Sequence, residues 1–262
     1  MFFFNTPILT YHRIARGTSP KDLDDYSLPV SQFERDMHYL HTNGYICLPL
    51  SELLQKSENR RFFGKKSFSL SFDDGYEDFF TIAYPILRRY GFTATVFLVT
   101  EKINKQSKLE MDEGEQSYLN WEQIDVLHQN GISFGSHTCT HPMLPSLTLG
   151  AIQYELAVSK ETLEENLGTD VHWLAYPYGA STNEIQRMTE VAGYTAAFGV
   201  YGGKSGLFNI WRRMCLKNDS LMTFILKLSP LYLYKGFLRE NTRLGGVIRK
   251  LKHNIDFRET LQ

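Results

Sequence analysis

"KSFSLSFDDGYEDFFTIAYPILRRYGFTATVFLVT" (66–100) holds the pattern on which the fold turns. Phe68, Leu70 and Phe72 alternate with serines, which is the period of a strand. Residues 77–90 read as a helix, and Gly91 is placed to stop it. Residues 93–100 are an unbroken run of β-branched and apolar side chains, as expected for a strand covered on both faces. A strand, a helix and a doubly buried strand in succession form a unit whose two strands pair in parallel.

The same alternation extends in both directions. Toward the N-terminus, "PILTYHRI" (7–14) reads as a strand and 15–29 as a Gly-, Ser-, Pro- and Asp-rich loop. Residues 31–44 read as a helix carrying Phe33, Met37 and Leu40 on one face, with Ser31 as cap and Gly44 as stop. "YICLPL" (45–50) is a short strand. Toward the C-terminus, 101–119 is polar and irregular and is expected to be a long loop. Asn120 caps a helix that ends at Gly131, and "ISFGSHT" (132–138) is a strand. Thr148 opens a long helix through Asn166, with the apolar stripe Ile152, Leu156, Val158 and Leu163. "VHWLAYP" (171–177), "STNEIQRMTEVAGY" (181–194) and "TAAFGV" (195–200) complete the series as strand, helix and strand. Strand and helix alternate at least five times, so the class is α/β with a parallel sheet; the pattern leaves open sheet and closed barrel undecided.

The composition fits a folded globular chain, with 42% hydrophobic and 22% charged residues. Aromatic residues, at 14%, are abundant enough to line a carbohydrate site as well as to fill a core. A formal net charge of −1 argues against nucleic acid as a partner. Cys47, Cys139 and Cys215 are too few and too far apart for a disulfide framework or a thiolate zinc site. The start, "MFFFNTPILTYHRI", lacks the basic n-region of a signal peptide, so the expected location is cytoplasmic or the cytoplasmic face of a membrane. After residue 218 the pattern changes: 219–262 reads as a helical, basic and apolar extension behind a catalytic domain at 1–218. Such a tail suits packing on the domain, or proximity to a membrane or a membrane protein.

The chemistry-bearing residues fall at strand ends, where an α/β fold builds its sites. Asp73 and Asp74 follow one strand, His137 and His141 another, Pro177, Tyr178 and Gly179 a third, and His12 the first. Two adjacent carboxylates repel unless one is neutralised. Taken singly, Asp-Asp-Gly reads as a plain turn and the two histidines as unconnected surface residues; taken together, two histidines and one carboxylate are the set of an open catalytic metal site, and if Asp74 is the ligand, Asp73 is free as a base. Gly75 permits a tight turn behind the pair. His38, His41, His128 and His172 have no partner motif and read as structural, and Cys139 is expected to turn away from the ligand set.

SFDDG, HTCTH and LAYPYG, in this order, resemble the first three motifs of the polysaccharide deacetylases, carbohydrate esterase family 4, over residues 5 to 215. The resemblance implies a distorted (β/α)7 barrel of the NodB-homology type, a divalent metal, usually zinc, and removal of the N-acetyl group from hexosamine units of a glycan. It implies Asp73 as base, Asp74, His137 and His141 as metal ligands, and the backbone N–H of Tyr178 as oxyanion donor, in a loop shaped by Pro177 and Gly179. Two positions depart from the family pattern. Ala175 stands where an arginine commonly orients the base; "NIWRRM" (209–214) offers Arg213, or with less weight Arg212, in its place. No late Leu-x-His is present, but "ILTYHRI" resembles the circularly permuted poly-N-acetylglucosamine deacetylase branch, with His12 as the acid. Rival readings on the same scaffold are hydrolysis of a non-sugar amide or acetyl ester, and a non-catalytic glycan-binding relative.

Overall fold

The computed structural model describes residues 6–16, 24–58, 66–108, 115–200, 206–229 and 232. Among these, seven parallel strands form a barrel: β1 (Ile8–Tyr11), β2 (Ser67–Phe72), β3 (Thr95–Leu98), β4 (Ser133–Ser136), β5 (Trp173–Ala175), β6 (Ala196–Gly199) and β7, in two pieces, Ile210–Trp211 and Arg213–Met214. Each strand pairs with the next in sequence. The last strand closes the ring: Ile210 and Trp211 pair with Phe198 and Gly199 of β6, while Arg213 and Met214 pair with Leu9 and Thr10 of β1. The open choice between sheet and barrel therefore resolves as a nearly closed barrel, and "NIWRRM", not expected to be a strand, is its keystone.

Helices α1 (Val30–Thr42), α2 (Leu50–Glu58), α3 (Tyr84–Tyr90), α4 (Trp121–Gln129), α5 (Leu149–Leu167) and α6 (Asn183–Val191) occupy the crossovers, and α7 (Leu221–Leu228) follows β7. Local signals explain their ends. Asn120 and Gln123 form a reciprocal capping box on α4, and Thr148 accepts from the Ala151 N–H at the start of α5. Gly91 and Gly168 close α3 and α5 in the left-handed conformation. The helix expected over 77–90 begins as a wide turn, Phe79–Ala83, before α3. Pro29 rather than Ser31 precedes the first turn of α1, with no side-chain cap. The stretch expected to be a long loop contains an antiparallel pair, Gln106–Lys108 with Glu115–Ser117.

Two apolar layers follow from the strand period. Phe68, Leu70 and Phe72 face outward into the core shared with the helices. Their alternate serines are also buried, because they face the barrel interior. There Thr10 Oγ1 and Ser71 Oγ lie 2.9 Å apart, and Ser69 Oγ donates to the Leu48 carbonyl at 2.7 Å. The inner apolar cluster combines Ile8, Phe97, Trp173, Phe198 and Ile210 with Leu50, Leu53 and Leu54 of α2.

On α5 the buried stripe is Ile152, Glu155, Leu156, Ser159 and Leu163; Val158 lies beside it, half-buried, and two polar residues take positions in the face. Phe224 and Leu228 of α7 join the main core, so the first part of the expected extension packs on the barrel. The remainder of the tail, and with it the expectation of membrane proximity, lies outside the described residues. No helix among the described residues is long and apolar enough to cross a membrane.

Candidate active site

Parallel pairing brings every strand C-terminus to one mouth of the barrel. His12 follows β1, Asp73 and Asp74 follow β2, His137 follows β4, and Pro177–Gly179 follow β5. Arg212 occupies the break within β7.

Several of these residues hold an unusual backbone. Asp74, Thr138, His141 and Tyr178 have φ of 72°, 67°, 66° and 59°, in the left-handed region that side chains other than glycine rarely occupy. Such residues each carry roughly 1–3 kcal/mol of strain and persist where the surroundings over-determine them. Gly75 shares this conformation, at φ 74°, and a Cβ there would lie 2.6 Å from Leu98 Cδ2. Gly179 is held likewise, at φ 65°, with a Cβ position 2.9 Å from the Val200 nitrogen. The tight turn expected behind Asp73 and Asp74 is present, and at both points glycine avoids backbone strain and a close contact.

The turns converge three ligand atoms. Asp74 Oδ1 lies 3.7 Å from His137 Nε2 and 3.4 Å from His141 Nε2. The three donors all fall within 4.8 Å of one another. His137 Nδ1 donates to the Ala175 carbonyl at 2.8 Å, which fixes the tautomer and leaves Nε2 bare toward the site. Burial, and then the proximity of His137, push His141 down to about 4, so its imidazole is neutral with a lone pair available. Asp74 Oδ1 is buried and has no hydrogen-bond partner. A buried carboxylate oxygen without a donor is costly, and a cation between it and two bare imidazole nitrogens satisfies all three. The residues present therefore fit a divalent metal.

Asp73 is handled differently. Arg212 grips it through two parallel bonds, Nη1 to Oδ1 at 2.6 Å and Nη2 to Oδ2 at 2.8 Å. The guanidinium is buried, donates also to Ser71 Oγ at 3.3 Å, and stacks 5.2 Å from the Phe97 ring. Burial works to raise the Asp73 carboxyl, but Arg212 outweighs it and the group sits at about 2. Asp73 is thus ionised and fixed in orientation. Arg212, and not the expected Arg213, is therefore the cation that orients Asp73. Arg213 pairs with Leu9, which faces outward, and its Nη1 donates to the carbonyls of Lys227 and Ser229 in α7 and beyond. Adjacent residues on a strand point to opposite faces, so only one of the two arginines can enter the barrel.

His12 Nε2 stands 4.0 Å from Asp73 Oδ2, beyond hydrogen-bond range and within reach of a substrate group between them. Burial lowers its pKa, against the opposing pull of Asp73 and Asp74. Tyr178 is exposed, and its ring packs 4.8 Å from His141. Cys139 is buried and turned toward Glu101, with Sγ 3.8 Å from Oε1, outside the ligand set as expected.

One contributor was invisible in the sequence reading. Glu155 of α5 is buried, and its carboxylate accepts from the Cys139 N–H (2.8 Å), the Thr140 N–H (2.9 Å) and Thr140 Oγ1 (2.7 Å). It fastens the HTCTH turn between the two ligand histidines. A glutamate at a core position between Ile152 and Leu156 of the helix was the available signal.

A seven-stranded parallel barrel gathers at its mouth three residues that could hold a cation and a second, arginine-locked carboxylate, an arrangement suited to hydrolysis. The chain matches the polysaccharide deacetylase family over residues 61–197, and it belongs to that family. It is 34% identical to a Bacillus subtilis protein called putative polysaccharide deacetylase YxkH, over 72% of this chain and 62% of the relative's length. It is 26% identical to the poly-beta-1,6-N-acetyl-D-glucosamine N-deacetylase of Staphylococcus aureus (strain MRSA252), over 72% of this chain and 70% of that one. Among solved structures, the Streptococcus pyogenes deacetylase PplD in complex with acetate superimposes with a TM-score of 0.74 at 27% identity, covering 86% of this chain and 98% of that one.

Proposed function

We propose that this protein is a metal-dependent N-deacetylase that hydrolyses the N-acetyl group of N-acetylhexosamine units in a cell-surface polysaccharide, exopolysaccharide or its precursor. The observation that carries the reading is the pair of adjacent carboxylates with separate tasks: Asp74 aimed at two bare imidazole nitrogens, Asp73 locked on Arg212. The name of the Bacillus subtilis relative supports an acetylated polysaccharide, and that of the Staphylococcus aureus relative an acetylated amino-sugar glycan, as the substrate class.

Asp74, His137 and His141 would hold the cation, and two imidazoles with one carboxylate suit zinc. When bound, such an ion polarises an acyl oxygen and lowers the pKa of a water at its open position. Asp73, fixed by Arg212, accepts a proton from the attacking water as the water oxygen bonds to the acetyl carbon. The Tyr178 N–H, at the left-handed turn after β5, donates to the oxyanion that develops, with Pro177 and Gly179 holding that turn. The C–N bond then breaks, and the proton that Asp73 accepted passes through His12, 4.0 Å away, to the departing nitrogen, which leaves Asp73 ionised again. Acetate and a free amino sugar are the products.

The test is acetate release from a β-linked N-acetylglucosamine pentamer after the metal is stripped with a chelator and then restored. The expected outcome is loss of activity on stripping and recovery with zinc. Undiminished release by metal-free protein would refute the reading.

A further inference from the structure

The mouth of the barrel has an order that the reaction can use. Successive contacts link Tyr26, His12, Asp73, its neighbour Asp74, His141 and Tyr178. The Tyr26 ring packs 5.0 Å from His12, His12 stands 4.0 Å from Asp73, and the Tyr178 ring packs 4.8 Å from His141. Tyr26 and Tyr178 are 52% and 62% exposed, so an exposed aromatic flanks each end of the catalytic row.

Tyr26 is not a loose side chain on a loop. Its N–H donates to Asp24 Oδ1 at 2.8 Å, and its carbonyl accepts from the Arg13 N–H at 3.3 Å. The short parallel pair Arg13–Ala15 with Ser27–Pro29 continues this fastening. The Arg13 guanidinium lies between Asp24 Oδ2 (3.9 Å) and Asp78 Oδ2 (3.6 Å), and stacks 5.7 Å from the Tyr76 ring. The segment bearing Tyr26 is thereby tied to the residues that follow both β1 and the Asp-Asp turn. An exposed apolar ring held this firmly at a site mouth is built to meet something.

The chemistry says what. The acyl oxygen must face the Asp74-His137-His141 group and the Tyr178 N–H. The amide nitrogen must face His12, which protonates it. The sugar carbon bonded to that nitrogen, and the pyranose ring it belongs to, therefore lie on the His12 side. Among the described residues, the aromatic ring packed against His12 is Tyr26.

We infer that Tyr26 is a specificity-determining residue: its ring carries the C–H face of the pyranose whose N-acetyl group is being removed. This rests on the deacetylase reading above and adds to it a requirement for a sugar ring beside the scissile amide. The contact is expected to be worth up to about tenfold in affinity, which converts to about 1.4 kcal/mol.

The test compares wild type, Tyr26→Ala and Tyr26→Phe on two substrates: a β-linked N-acetylglucosamine pentamer, and 4-nitrophenyl acetate, which has an acetyl group and no sugar. For Tyr26→Ala the expected fall in kcat/KM on the pentamer exceeds that on the ester by about tenfold, expressed in KM more than in kcat. Tyr26→Phe is expected to restore most of it, because the ring and not the hydroxyl makes the contact. Equal falls on both substrates, or no selective fall, would overturn the assignment. If wild type cleaves the ester and leaves the pentamer intact, the deacetylase reading fails separately. Saturation-transfer NMR of the pentamer then decides the Tyr26 contact: binding lost in Tyr26→Ala supports it, and absence of binding to wild type overturns it.

Discussion

Asp73 and Asp74 are neighbours in the chain, and each is stabilised by different partners. The left-handed backbone at Asp74 swings its carboxylate toward the histidines, while Asp73 stays in line with β2, its N–H on the Tyr11 carbonyl. Arg212 then supplies Asp73 with both charge and direction. Replacing Arg212 by alanine leaves a buried carboxylate unpaired and free to rotate, so deacetylation is expected to fall about 10²- to 10³-fold with metal content retained. Arg213→Ala is expected to lower thermal stability instead, because its partners are carbonyls at the end of α7. Steady-state kinetics and thermal melts on the two variants check this; the reverse assignment would show a kinetic loss in Arg213→Ala. At this scale the sequence was nearly sufficient. SFDDG and HTCTH name four residues that do converge. The choice between Arg212 and Arg213 is not legible, because 209–214 lacks the apolar pattern of a strand, and without a strand there is no alternation to decide which arginine points inward.

At the scale of elements, the site is made by turns that strands alone do not fix. Thr138 and His141 both take left-handed backbone, and α5 holds that turn through Glu155. The Thr138 N–H also donates to Ser136 Oγ at 3.0 Å, and Ser136 Oγ lies 2.8 Å from Ser159 Oγ of the same helix. Glu155→Gln keeps the shape of the side chain but weakens its acceptance from two N–H groups and a hydroxyl. The expected result is zinc affinity lowered about 10- to 100-fold, the usual effect of outer-shell partners, read by competition with a chromogenic chelator. Unaltered affinity in a folded Glu155→Gln protein would remove Glu155 from the site's support. The α5 stripe is legible in its apolar members except Val158, which is apolar yet lies beside the buried face. Glu155 and Ser159 occupy the buried face since each has a polar partner there to satisfy it.

For the molecule as a whole, closure of the ring is the decisive event. Strand β7 joins β6 to β1, and α1 and α7 pack close by. This closure was not readable from alternation, because β7 is short, interrupted at Arg212, and carries two arginines where a buried strand would be expected to be apolar. Near this seam Asp36 of α1 is fully buried, with Arg35 on Oδ1 and no hydrogen-bond partner on Oδ2. Burial lifts its carboxyl to about 6 despite Arg35. The folded chain thus keeps a proton that the unfolded chain releases near pH 4, so this group's contribution to stability declines as pH rises from about 4 to about 6. The full effect is about 3 kcal/mol, from roughly two pK units. Asp36→Asn cannot ionise, and its stability relative to wild type is expected to rise by about 2–3 kcal/mol between pH 4 and pH 7.5 in urea titrations. Parallel curves across that range would show that Asp36 titrates normally.

The central claim is that Asp73 is the base and Asp74 a ligand. Asp73→Asn removes the ionisable oxygen and preserves the shape of the side chain. Zinc content and acetate release from the N-acetylglucosamine pentamer, measured on the same preparation, separate the two tasks. Full zinc content with acetate release down at least about 10²-fold is the predicted result. An Asp73→Asn protein that loses its zinc, or that keeps both its zinc and its wild-type rate, would contradict the division of labour between the two carboxylates.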